Sequence, residues 1–151
     1  MTLDELNATL AAALASEKAG TPVSLRLHLQ VAETTNDSVD LTAMLMPLVE
    51  TVFNARASRL LARRNVAADQ LNVLFTLADG KTAFITCGRG STRHTSLQLL
   101  LVGNHGIIRL EGGQLFKPGK AVDAAGSRYW RTAIEKSLAA NAPISLARLS
   151  C

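Results

Sequence analysis

Three imidazoles, two thiols and a short arginine cluster are the residues of this chain best equipped for chemistry. His28, His94 and His105 stand far apart, with no carboxylate or cysteine at metal-ligand spacing, so no metal site is expected. Ser91 and Ser96 lie near His94, but the Gly-x-Ser-x-Gly elbow that exposes a nucleophilic serine is absent. A phosphate-cradling P-loop needs Gly, four residues, then Gly-Lys-Ser/Thr. Gly113 to Gly119-Lys120 is one residue too long, and Ala121 cannot ligate magnesium. Gly88 and Gly90 lack the third glycine and the following helix of a dinucleotide fingerprint. The sequence therefore assigns no catalytic residue and no cofactor. What remains for a ligand is Arg89, Arg93, His94, Asn104 and His105 in two polar loops. If these converge, three cations and an amide could hold a carboxylate or phosphate.

Bulk composition bounds the rest. At 151 residues the chain has the length of one ordinary domain, and 48% hydrophobic with 19% charged residues is a globular composition. Aromatic residues make up only 4%, so Leu, Ala and Val must fill most of the core. Sixteen basic against twelve acidic side chains leave a formal charge of +4. The densest basic cluster, Arg56, Arg59, Arg63 and Arg64, has no aromatic stacking residue beside it, so a solvated face is expected there and not a nucleic-acid site. Cys87 falls in an apolar run, where a small buried thiol is expected, and two cysteines make no disulfide framework. The first residues carry acids where a signal peptide would carry lysines, and no apolar run nears the ~20 residues of a membrane span. A cytoplasmic location is expected, with no membrane contact.

The elements that must position these residues follow from periodicity. Residues 3–18 read as an amphipathic helix, with Leu3, Leu6, Leu10 and Leu14 on one stripe and Thr2 and Glu5 at capping-box spacing. Gly20 and Pro22 stop it, so residues 1–22 form a helix and linker ahead of a single sheet domain, 23–151. From Val23 to Val31 apolar residues alternate with Ser24, Arg26, His28 and Gln30, the pattern of a strand with one buried face. A second helix carries Leu41, Met44, Leu45, Leu48, Val49, Val52 and Phe53. Pro47 either kinks it or marks a regular part beginning near Met46. Then come strands at 57–64 and at 71–77, an Asp79-Gly80 hairpin turn, and a strand at 81–87. Residues 97–102 are nearly all apolar, as in a central strand covered on both faces. Gly103-Asn-His-Gly106 turns into 107–111, where the flanking glycines and the tolerance of Asn and His for unusual backbone angles suggest a structural role for His105. Gly112-Gly113 turns again into 114–116, and a helix at 129–140 closes the chain. Segregated helices over a predominantly antiparallel, meandering sheet make an α+β domain with helices on one face.

Two runs carry a resemblance. Asn72 to Thr86 (NVLFTLADGKTAFIT) and Ser96 to Glu111 (SLQLLLVGNHGIIRLE), with the closing helix and its Ala142-Pro143-Ile144 exit, are similar to the C-terminal sheet domain of the Gfo/Idh/MocA family, the glucose–fructose oxidoreductases and inositol dehydrogenases. The likeness covers roughly residues 23–146. It implies an antiparallel sheet whose open face packs subunits together. In that family a Rossmann domain binds a nicotinamide cofactor and supplies a lysine from a Glu-Lys-Pro-like motif, and this sequence has no such motif. The family's second signature is an Asp, then Gly, His and Asp two, four and seven residues on. With Asp40 first, this chain has Thr42, Met44 and Pro47, and a thioether cannot take the proton that an imidazole would.

The resemblance thus implies a non-catalytic, stand-alone oxidoreductase-like domain acting as an oligomerisation or accessory subunit. Its expected partner is a second copy, in a homodimer or higher homo-oligomer through the sheet face, or a full-length dehydrogenase. The alternative is a small anionic-ligand binding protein, or a minor enzyme, using the loops around Arg93 and His105.

Overall fold

A computed structural model describes residues 2–32, 37–65, 67, 69–89, 95–112 and 125–146. The expected strand at 114–116 lies outside them. The elements run α1 (Leu3–Ala15), β1 (Pro22–Val31), α2 (Ser38–Phe53), β2 (Ala57–Asn65), β3 (Gln70–Leu77), β4 (Thr82–Arg89), β5 (Ser96–Gly103), β6 (Ile107–Gly112), α3 (Ala125–Ala140) and the short β7 (Ile144–Ser145).

Local chemistry sets the helix ends. Thr2 N–H donates to Glu5 Oε2 (2.7 Å) and Glu5 N–H to Thr2 Oγ1 (3.2 Å), the reciprocal cap that the spacing predicts. Leu6 and Leu10 of α1 are fully buried, and Leu3 and Leu14 pack at the edge of the core. Asp37 caps α2 by accepting from Asp40 N–H (2.8 Å), and Asn54 ends it in the left-handed region. The helix runs unbroken past Pro47, which sits on its exposed side, so its regular part begins at Ser38 and not near Met46.

Seven strands form one sheet in the order β6-β5-β1-β4-β3-β2-β7. This is not the meander expected: β1 is inserted between β4 and β5, parallel to β4 and antiparallel to β5. The other ladders are antiparallel. Parallel neighbours cannot be joined by a tight turn, and here α2 and the β2–β3–β4 run make the return. Periodicity gives each strand its two faces but not its neighbour, which is why the insertion was invisible in sequence.

One face of the sheet is the core. Leu25, Leu27, Leu29 and Val31 of β1, Val73 and Phe75 of β3, Ile85 and Cys87 of β4, and Leu97, Leu99 and Leu101 of β5 are all buried. α2 and α3 cover them, with Trp130 of α3 meeting Phe75 edge-on at 5.9 Å. Val23 departs from its strand's pattern and stands 45% exposed, because the register shifts between Pro22 and Ser24. β5 is covered on one face only, with Leu100 and Val102 half-buried on the other.

Ser137 fastens α3 to the sheet. Its hydroxyl is fully buried, accepts from Ala62 N–H (2.9 Å) and donates to the Ala142 carbonyl (2.8 Å), satisfying a backbone donor of β2 and the turn after α3. Ser137→Ala should lower stability by about 1–3 kcal/mol, since a buried amide loses its acceptor. Thr132→Ala, whose hydroxyl only returns to the Arg128 carbonyl on the exposed side, should change it by less than ~0.5 kcal/mol. Urea midpoints of the two variants check the contrast.

Candidate functional site

The sequence-predicted ligand residues that the structure describes do not share a site. Arg89 ends β4 opposite Val31, at the C-terminal end of β1. Asn104 and His105 follow Gly103, which pairs with Pro22 at the other end. The ten residues of β1 separate them, about 30 Å of extended chain. Arg89 is instead ion-paired to Asp69 (3.2 Å). Arg93 and His94 lie outside the described residues. No single small anion can touch both ends of that strand, so the five residues are not one ligand cluster.

Asn104 and His105 have a different task. Asn104 N–H donates to the Thr21 carbonyl (3.0 Å), its Oδ1 accepts from Thr21 N–H (2.8 Å), and His105 N–H donates to the Ala19 carbonyl (2.9 Å). The turn is a clasp on the linker between α1 and β1. Its glycines serve close approach: a Cβ on Gly103 would stand 2.0 Å from the Ala19 carbonyl oxygen, and one on Gly106 2.8 Å from that of Lys18. Neither they nor Asn104 and His105 adopt positive φ, so backbone permissiveness is not what the turn requires. Gly20 within the linker does, at φ 71.

The segment aligned with the catalytic signature is also structural. Thr42 and Met44 are buried within α2, and Thr42 Oγ1 donates to the Ser38 carbonyl (2.8 Å). Asp40 pairs with Arg131 of α3 (2.8 Å), which also reaches Asp37 (3.7 Å) and Glu135 (3.1 Å). Partial burial, reinforced by Asp37, holds the Asp40 carboxyl above its usual range although Arg131 pulls it down. Cys87 is buried, and desolvation pushes its thiol from 9.0 up to about 12. Among the described residues, no three His, Cys, Asp or Glu converge on a metal position, and no helix is long and apolar enough to cross a membrane.

The broadest unassigned feature is the sheet face away from the helices. The ladders align its side chains in rows. One row reads Arg109, Leu100, Arg26, Phe84, Leu74, Leu61 from β6 to β2. Its neighbours read Glu111, Gln98, His28, Thr86, Asn72, Arg63 and Ile107, Val102, Ser24, Thr82, Thr76, Arg59. Thr86 Oγ1 donates to Asn72 Oδ1 (3.0 Å), so the polar row is partly knitted within the sheet. Phe84 and Leu74 are each 38% exposed and Ile107 58%. A depression of about 290 Å³ opens among Arg26, His28, Phe84, Leu100, Arg109 and Glu111. The sequence showed this face only as the polar half of residues 23–31. The apolar half of the row became visible once β3, β4 and β5 were in register. The basic cluster splits: Arg59 and Arg63 join this face, while Arg64, paired with Leu71, follows the opposite parity.

No protein-family model and no curated relative matches the sequence. Solved structures match in fold. The chain is similar to scyllo-inositol dehydrogenase from Lactobacillus casei, solved with NAD(H) and scyllo-inositol, at a TM-score of 0.72 and 10% identity over 93% of this chain and 61% of that one. A probable dehydrogenase from Thermotoga maritima gives 0.71 at 12% identity, covering 96% and 62%. Myo-inositol 2-dehydrogenase from Lactobacillus plantarum gives 0.72 at 9%, covering 92% and 61%. This chain thus spans about three fifths of the length of those dehydrogenases. The likeness read from the two sequence runs holds at the level of fold: a mostly antiparallel α+β sheet of the inositol dehydrogenase type.

Two outcomes check these structural roles. Gly103→Ala should destabilise by about 1–3 kcal/mol through overpacking against the linker. Asn104→Ala should cost about 1 kcal/mol. Both are readable as shifts in denaturation midpoint. In a Cys151→Ser background, Cys87 should resist thiol reagents at about pH 8 until the chain unfolds. Because its folded pKa is raised, the thiol's contribution is complete below 9.0 and is lost as pH climbs toward about 12, so stability should decline across that window.

Proposed function

We propose that this chain is a protein-association module which presents the open face of a dehydrogenase-type sheet to a partner and carries out no hydride transfer itself. The observation that carries the reading is the row Leu100, Phe84, Leu74, Leu61. Phe84, Leu74 and Leu61 stand side by side on β4, β3 and β2, Leu100 of β5 lies beyond Arg26 in the same row, and no helix among the described residues covers them. Contiguous apolar surface of this kind marks an interaction site more often than a bare monomer surface. The Thermotoga maritima and Lactobacillus structures lend the fold alone, and subunit assembly as its use is carried over from the family that the two sequence runs resemble. The non-catalytic part rests on Met44, which occupies the place of the proton-accepting imidazole and is buried inside α2. The partner is a second copy of the chain or a full-length dehydrogenase, with the chain as its accessory subunit. Residues bearing on small-anion binding are set at opposite ends of β1, so that reading gains nothing from the fold.

The test is light scattering coupled to size exclusion, on full-length chain drawn gently from its native host. The wild type should run in an assembly larger than its own 16.1 kDa. Leu74→Glu together with Phe84→Glu should release it as a monomer while leaving the unfolding midpoint within about 1 kcal/mol, since both side chains are already part-solvated. A wild-type monomer, or a double variant that stays assembled, would overturn the reading.

A further inference from the structure

The three rows of the open face carry four arginines, Arg26, Arg59, Arg63 and Arg109, and a single acid, Glu111. No ion pair engages any of the four among the described residues. Among the described residues no lysine shares the rows: Lys18 is in the linker, Lys81 in the β3–β4 hairpin and Lys136 on α3. Arginine is the cation that interfaces select and lysine the one they avoid, because a weakly hydrated planar guanidinium gives up its water at lower cost. The arginines of this face therefore have the composition of a contact surface and not of a merely soluble one. Their sign also selects among partners. Two copies meeting face to face would bring together eight arginines and two glutamates, and like charges in a closing interface cost several kcal/mol.

Resting on the association reading above, we infer that the occupant of the open face is a different protein with an acidic, apolar-centred surface, and not a second copy of this chain. The geometry places the contact. Arg26 and Arg109 flank Leu100 from the strands on either side, about 10 Å apart at their Cα atoms. The depression there is lined by both arginines together with Leu100 and Phe84. A partner Asp or Glu set over Leu100 meets a guanidinium on each side. Its apolar neighbours cover Phe84, Leu74 and Leu61, and further acids answer Arg63 and Arg59 at the β2 edge. Nucleic acid is the weaker fit: one phenylalanine gives a single stacking platform, and the rest of the row is aliphatic.

Photo-crosslinking in the native host tests this on the intact chain. Benzoylphenylalanine replaces Phe84 in one strain and Ala12, on the exposed side of α1, in another. The substituent at 84 should yield a discrete adduct to another protein, mapped to a segment rich in Asp and Glu, and the one at 12 should not. Arg26→Glu with Arg109→Glu should lower that adduct about tenfold or more, Arg26→Gln with Arg109→Gln by less, and raising salt from ~0.05 to ~0.5 M should also reduce it. Circular dichroism confirms that the variants fold. An adduct of twice the chain's mass, a nuclease-sensitive adduct, or one indifferent to charge reversal would overturn the acidic-partner inference while leaving the face an association surface. No adduct at 84 from an assembled chain would overturn the association surface itself.

Discussion

β1 shares its backbone hydrogen bonds with β4 on one side and β5 on the other, and the register of those two ladders decides what every face of the protein contains. Leu25, Leu27, Leu29 and Val31 project into the core while Arg26, His28 and Gln30 project out. A slip of one residue would exchange the sets, placing a guanidinium and an imidazole beneath α2. Burying an unpaired charge there costs several kcal/mol, as much as a large part of a domain's net stability. The register is therefore held by the side chains as firmly as by the backbone. β4 and β5 inherit it, and through them β3 and β6.

From that constraint the two sides of the sheet acquire different chemistry. The inner side is almost wholly aliphatic, closed by α2 and by the Trp130–Phe75 contact of α3, with Ser137 satisfying the polar groups trapped at the edge. The outer side receives whatever the alternate positions carry. Arginine on β1 and β6 is brought level with leucine and phenylalanine on β2, β3, β4 and β5, and the β2 arginines stand in the rows on either side. Cover by the proposed partner would suit such a surface, since half-exposed Phe84 and Leu74 gain from burial and the arginines from a counter-charge.

Much of the fold was legible in sequence because it is governed by local rules. The Thr2–Glu5 cap, the alternation of 23–31 and the Asp79-Gly80 turn, with Gly80 at φ 85, each depend on residues within a few positions of one another. Strand order was not, because the place of β1 beside β4 depends on a return through α2 and three further strands. The candidate site was the least legible. Arg89 and His105 both sit at loop ends and look interchangeable in a string of letters, yet only pairing to β1 reveals that they occupy its opposite ends. The open row was hidden for the same reason: Leu61, Leu74, Phe84 and Leu100 come from four strands, and no strand taken alone shows that they share a row.

The turn inside the second of the two runs that carry the resemblance has an architectural task. Gly103-Asn-His-Gly106 grips the linker of residues 18–21 through backbone and amide hydrogen bonds, and its glycines are small because the linker's carbonyls leave no room for a Cβ. At about 10% identity the solved dehydrogenases retain the same sheet. The contacts that build that fold in this chain are steric and hydrogen-bonding requirements, which a chain must meet whether or not it performs chemistry. In α2, Met44 is buried in the packing, the Thr42 hydroxyl closes a helix-internal bond, and Asp40 pairs with Arg131. On the open side of the sheet no helix of the described residues packs against the side chains. There arginines that nothing in the described residues neutralises remain set among uncovered apolar side chains.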